Sequence, residues 1–349
     1  MNTISSDRVV TVPPAPVSTT PDPASPTTPA QTVLMPPVVL SAEHDRNQLA
    51  YARRGGELIR VRRGAYCEPD TIRGTGPAAG PREKRNRALA CARALHSQLR
   101  SDHVFSHATA ALLLGCSVWR VPGQTHVYQN YRASGRSAKD VSRHTGHVPP
   151  EHVVHVHGLP VTSLVRTVVD CALSLHPLEA LVVVDSALRM GVRREDLLSM
   201  LEARAGRRGI RRALLVVSLG DEGAQSPWET WVRYEILRAG LPRPTTQMAV
   251  QTDLGLFHTD LGYERWAFGI EFDGLVKYRP DGVRPGHDPA QEYVREKARA
   301  EAIRRAGVAV EHVSAVDRRD VPALISRLAR NLPRDVVGTA RPHPYLPPS

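Results

Sequence analysis

Three acidic side chains, Asp260, Glu271 and Asp273, fall close together in the stretch 256–278, LFHTDLGYERWAFGIEFDGLVKY, with Lys277 just beyond them. Residues 256–261 and 267–273 read as two short strands joined by a turn over 262–266. Side chains alternate between faces along a strand. Ile270 and Phe272 are therefore expected on one face with Phe257 and Leu261, and Glu271 and Asp273 on the other with His258 and Asp260. Carboxylates gathered in this way repel and raise one another's pKa unless a cation sits among them. Hard oxygen ligands suit Mg²⁺ (or Mn²⁺), which binds through one or two carboxylates and keeps waters for a phosphate substrate. The opposing reading is an acidic surface hairpin without chemistry.

The elements flanking the hairpin must position it. Upstream, Ser226-Pro227-Trp228-Glu229 has the order of a capped helix start, with Ser at N-cap, Pro at N1 and Glu at N3. That helix is expected to run to about Ala239 and stop at Gly240. Downstream, 289–306 reads as a charged helix in which Glu296–Arg299 and Glu301–Arg305 make ordinary intrahelical pairs. A buried strand over 308–313 and a last helix over 321–331 follow, and the tail 333–349 reads as loose.

The order Asp260, about ten residues, Glu271-x-Asp273-Gly274 and then a helix resembles the PD-(D/E)XK nuclease superfamily, and within it the very-short-patch-repair-like endonuclease domains. The resemblance covers about a third of the chain, 226–330, within an expected domain over 206–332. It implies that Asp260 and Glu271 hold Mg²⁺ with a backbone carbonyl near Phe272, and that Asp273 assists a second metal or orients water. It places Glu229 near the metal, a role that competes with capping. Lys297 or Arg299 would face the substrate. The superfamily usually has Lys two residues after the Glu; here that position is Asp273, and Lys277 is either a migrated lysine or the mark of a dead site.

Composition sets looser bounds. The formal net charge is +11, and with only four Lys the 46 basic residues are mainly Arg. Such an excess favours a polyanionic partner, although an Arg-, Ala- and Pro-rich chain is also what a GC-rich genome encodes. Cys67, Cys91, Cys116 and Cys171 are widely spaced with no CxxC pair, which argues for reduced thiols and against a disulfide framework. No apolar run is long enough for a bilayer and no signal-peptide pattern opens the chain, so a cytoplasmic protein without membrane contact is expected.

In chain order, 1–40 is a Pro/Thr-rich head expected to be disordered. A winged-helix-like module is expected over 41–68: Ser41 caps a helix to about Arg54, Gly55-Gly56 ends it, and ELIRVRRGAYC forms a hairpin. This hairpin resembles the wing in antitoxins of the AbiEi type (type IV toxin–antitoxin systems). The resemblance implies that Arg60, Arg62 and Arg63 lie against DNA phosphates, and it brings in a toxin-like protein partner; the other reading is a structural cap with solvated arginines. A mixed α/β middle domain, 83–205, contains helices over 83–99, 164–174, 178–190 and 194–205, and its VRTVVD segment also resembles the antitoxin family. GRRGIRR, 206–212, is read as the exposed start of a helix with phosphate contact as a further possibility. His144, His147, His152, His155 and His157 crowd one region, with His155 and His157 on a common strand face; exposed strand histidines are the expected reading, because no acid or Cys lies at matching spacing.

The expected architecture is therefore α/β: a small winged module, a mixed middle domain and a C-terminal restriction-endonuclease-like sheet flanked by helices. The leading expectation for function is a metal-dependent DNA endonuclease. The alternative is a non-catalytic DNA-binding regulator of the antitoxin kind built on the same fold, and a weaker one is a protein-interaction module.

Overall fold

The computed structural model describes residues 33–73, 79–131, 138–274 and 289–349, a mixed α/β fold with three sheets among those residues. The first part holds β1 (Val39–Leu40), α1 (Arg46–Arg54), β2 (Ile59–Arg62), β3 (Ala65–Cys67), α2 (Pro69–Ile72) and α3 (Ala79–Gln98). Its sheet runs β1-β3-β2, antiparallel throughout. The expected hairpin is present, closed at Gly64, whose φ of 73° no other residue adopts at so little cost. Two boundaries move. Asp45, not Ser41, caps α1, its Oδ1 accepting from the amides of Asn47 and Gln48. Residues 33–40, assigned to the disordered head, belong to the fold, because Leu40 pairs with Ala65 and Val33 is buried beside Leu89; the remainder of that head lies outside the described residues.

The middle part comprises β4 (Val104–Phe105), α4 (His107–Leu113), β5 (Thr125–Gln129), β6 (Val141–Thr145), β7 (Val153–Val156), β8 (Leu159–Thr162), α5 (Leu164–Ser174), α6 (Pro177–Arg189), α7 (Arg194–Glu202) and α8 (Ile210–Leu219). Its five-stranded sheet has the order β6-β5-β4-β8-β7. The sequence PLEALVVVDSALR of α6 is apolar around most of its circumference, and a helix of that kind must be surrounded. It is: Leu181, Val182, Val183 and Val184 are all buried in the main core.

The last part contains α9 (Pro227–Arg238), β9 (Thr245–Thr252), β10 (Gly255–Tyr263), β11 (Phe268–Asp273), α10 (Pro289–Arg305), β12 (Ala309–Ser314), α11 (Val321–Ala329) and α12 (Arg334–Thr339). The sheet order is β12-β11-β10-β9; β11 and β12 are parallel, as a helical crossover through α10 allows, and the other pairs are antiparallel. One face, with Leu261, Phe268, Ile270 and Val313, shares the core of Trp231, Ile236, Leu324 and Leu328. The other face sets Met248, Val250 and Phe257 against Ile303 of α10. A buried ion pair ties this part to the middle helices: Arg233 Nη2 donates to Asp185 Oδ2 at 2.6 Å, and Asp185 also accepts from Thr230 Oγ1 and the Asp221 amide. The tail expected to be loose is docked. Leu346 is buried, Tyr234 Oη donates to the Pro347 carbonyl at 2.6 Å, and the His343 amide donates to the Arg238 carbonyl. No helix among the described residues is long and apolar enough to cross a membrane.

Candidate functional site

The acidic hairpin forms close to its expected bounds, with a 3-10 turn at Glu264–Trp266 and Leu261 opposite Ile270. Its faces differ from simple alternation. The β9–β10 ladder pairs Thr259 with Met248 and Leu261 with Thr246 but skips Asp260 and Gln247, and Gln247 has a φ of 49°. This irregularity turns the strand, so that Phe257 packs toward α10 while Leu261 packs toward α9. The expectation that Phe257 and Leu261 share a face is therefore corrected: period-two alternation fails where Asp260 and Gln247 leave the ladder, the register being the same on either side.

The same break separates the acids. Asp260 Oδ2 accepts the Phe272 amide at 2.7 Å, and the carboxyl lies near Glu229 of α9, whose pKa it helps to raise. Glu271 is buried and points toward α10, where Arg299 meets it with two nitrogens: Nη2 to Oε1 at 2.6 Å and Nη1 to Oε2 at 3.2 Å. Arg299 also donates to the His258 carbonyl at 2.7 Å and to Glu296 at 3.1 Å. Asp273 Oδ2 lies 3.0 Å from His312 Nδ1 on β12. Among the described residues, these three acids do not bring three ligand atoms within 4.8 Å of one another. As arranged, both oxygens of Glu271 accept from a guanidinium, whose positive charge opposes a second cation there; Asp260 instead has Glu229 as its acidic neighbour. Lys277 lies outside the described residues.

Glu229 takes part in only half of the expected capping box, since its carboxyl bonds the Gln225 amide and not the Ser226 amide. Ser226 Oγ accepts the Glu229 amide at 3.2 Å, as a capping box requires, while Glu229 Oε2 accepts the Gln225 amide at 2.8 Å, one residue upstream of the N-cap. Burial, and then the Asp260 charge, push the Glu229 carboxyl up to about 7. In α10 Lys297 is exposed, whereas the expected pairing of Glu301 with Arg305 is replaced by Glu301–Arg304 at 2.6 Å, with Arg305 bonded to Asp253.

The wing arginines part company. Arg60 and Arg63 are exposed at the hairpin. Arg62 turns inward, its side chain only 8 % exposed, and pairs with Asp140 at 3.0 Å, so it is a structural residue and not a phosphate contact in this arrangement. Arg207, Arg208 and Arg211, before and at the start of α8, are exposed.

Sequence reading passed over one cluster. His107, His126 and His144 bring a nitrogen each within 4.8 Å of the others. Of the three, only His144 belongs to the group expected as exposed strand histidines, and it is half-buried; His155 and His157 do not share a strand face, because His157, with a φ of 52°, lies in the turn after β7. The signal available was weak, since the three residues come from α4, β5 and β6 and share no spacing.

No family model matches the chain. Two curated relatives, the uncharacterized proteins MT2308 and Rv2248 of Mycobacterium tuberculosis strains, are each 27% identical over 182 residues, covering 51% of this chain and 64% of theirs. The chain thus spans less than two thirds of their length. The solved structure of the RV2827C protein of Mycobacterium tuberculosis is similar at a TM-score of 0.34 with 16% identity, over 56% of this chain and 75% of that one, a likeness too distant to carry an argument.

Proposed function

We propose that the protein is a DNA-binding regulator whose C-terminal part uses a nuclease-type sheet as a scaffold and not as a hydrolase. One observation carries this reading: Glu271, the acid at the centre of the motif, has its charge compensated by Arg299 through two charge-assisted hydrogen bonds. A Mg²⁺ ion at Glu271 would have to compete with that guanidinium's charge. The DNA-binding half of the proposal rests on the net charge of +11 and on exposed Arg60, Arg63, Arg207, Arg208, Arg211 and Lys297. It carries with it a cytoplasmic location and, through the antitoxin resemblance, a toxin-like protein partner.

Fluorescence anisotropy with duplex DNA in EDTA tests this reading. Binding should persist without divalent metal and weaken steeply as salt rises, because each neutralised phosphate releases counterions. Changing Arg60 and Arg63 together to Ala should shallow that slope. Absence of binding at low salt, or a dependence on Mn²⁺, refutes the proposal.

A second reading, a Mg²⁺- or Mn²⁺-dependent phosphodiesterase, is favoured by one specific feature, the juxtaposed carboxyls of Glu229 and Asp260. In that reading these two residues hold the ion, which when bound lowers the pKa of a water and offsets phosphate charge. The Phe272 amide fixes the Asp260 carboxyl, and exposed Lys297 attracts the phosphate backbone.

A further inference from the structure

The histidine cluster lies in the middle part, away from the acidic hairpin, and the proposed function does not use it. His126 Nδ1 and His144 Nε2 are 3.0 Å apart, and the ring of His107 stacks on that of His144 with centroids 3.7 Å apart. Two nitrogen ligands of one tetrahedral Zn²⁺ lie roughly 3.3 Å apart, given Zn–N bonds of about 2.0–2.1 Å. The His126–His144 contact is thus near that spacing; an ion would take the place of the hydrogen bond between these rings, and His107, stacked at 16° on His144, would rotate to aim its lone pair at the ion.

The surroundings hold them there. Ser106 Oγ, fully buried, meets His107 Nδ1 at 2.9 Å and holds that ring; metal-bound histidines are oriented by a partner of this kind. The Thr109 hydroxyl accepts the His126 amide at 2.9 Å and fixes β5 against α4. His107 is held with a φ of 52° at the first position of α4, a conformation that costs about 1–3 kcal/mol for a residue other than glycine. The neighbouring cation, Arg166, is neutralised by Asp170, which accepts its Nε at 2.9 Å through both oxygens. Burial and mutual repulsion pull His107 down to about 2 and His126 down to about 4, and burial lowers His144. A cleft of about 400 Å³, lined by Ala108, Gln124, Trp119, Arg120 and Glu179 among others, borders the cluster along His126.

We propose that His107, His126 and His144 form a binding site for one borderline transition-metal ion of the Zn²⁺ class, with a position left open to water or to a small anion entering from the cleft. An all-imidazole donor set selects Zn²⁺, Co²⁺, Ni²⁺ or Cu²⁺ and discriminates against Mg²⁺. This site is distinct from the acidic hairpin, where any ion would be oxygen-bound.

The full-length protein, stripped with chelator, is titrated with Co²⁺ and then Zn²⁺. One equivalent of Co²⁺ should produce visible bands of tetrahedral type, Zn²⁺ should abolish them, and Zn²⁺ should raise the melting temperature. His126→Gln and His144→Gln should each remove the bands, and the loss should exceed the roughly 10- to 100-fold that a supporting residue costs. Ser106→Ala should weaken binding within that range, and His155→Gln, at an exposed β7 position, should change nothing. Should a histidine variant misfold by circular dichroism, the wild-type spectrum and thermal shift still decide. No uptake by the wild type, bands of octahedral type only, or binding that survives both glutamine changes overturns the proposal and leaves a hydrogen-bonded imidazole cluster.

Discussion

Changing Glu229 to Gln isolates the energetic consequence of burying one carboxyl beside another. In the folded protein this group titrates at about 7 against 4.5 for the free side chain. The folded state therefore holds its proton more tightly, and its contribution to stability is complete below pH 4.5 and lost as pH rises through 7. At about 1.4 kcal/mol per pKa unit, the loss between those limits is about 3 kcal/mol, an order of magnitude and an upper bound. A charge at N3 of a helix is ordinarily favourable by about 0.3–1 kcal/mol, so desolvation and the Asp260 charge win. Glutamine mimics the protonated acid and its Oε1 still reaches the Gln225 amide. In urea denaturation with EDTA present, the wild type should lose stability from pH 5 to pH 8. Glu229→Gln should be flatter across that range and more stable than wild type at pH 8 by about 1–3 kcal/mol. A variant less stable than wild type at pH 8, or two parallel pH profiles, would show that the carboxyl is ionised without cost and refute the reasoning.

Further expectations concern the packing. Arg233→Met strands Asp185 among α6 and α9 without its cation and should cost about 3–5 kcal/mol in denaturant, most of it recovered when Asp185→Leu is added. Ser226→Ala removes the acceptor for the Glu229 amide and should cost about 1 kcal/mol by the same measurement. Deleting 342–349 takes away buried Leu346 and uncovers Trp231, so the melting temperature should drop, with about 2 kcal/mol or more lost. Arg299→Ala leaves buried Glu271 without its guanidinium and should destabilise by about 3 kcal/mol, whereas a solvated surface arginine would give almost nothing.

Much of this architecture is legible in the sequence where local patterns are strong. The Ser226–Glu229 start fixes α9 because capping is decided within four residues, and the apolar run of α6 admits few other placements, whereas 308–313, expected as a buried strand, is an edge strand in which only Val313 is buried. The acidic hairpin is legible as an element but not as a site. Its alternation holds until Gln247 breaks the neighbouring ladder, and nothing in the local sequence announces that residue's left-handed backbone. Long-range partners are equally silent: Arg62 finds Asp140 and Arg299 finds Glu271 only after the chain is folded. Prolines at 347 and 348 make the tail look unstructured, yet carbonyl oxygens need no amide hydrogen to accept from Tyr234. The histidine cluster draws on three elements and has no spacing to read.

The central proposal is that the protein binds DNA without cutting it, and a nicking assay addresses it most directly. Supercoiled and single-stranded DNA are incubated with the protein in millimolar Mn²⁺, alongside Asp260→Asn, with binding followed in parallel. The account predicts bound, uncut DNA for both proteins and no Mn²⁺-induced rise in melting temperature that Asp260→Asn removes. Mn²⁺-dependent nicking by the wild type that disappears in Asp260→Asn would contradict it and establish the hydrolase.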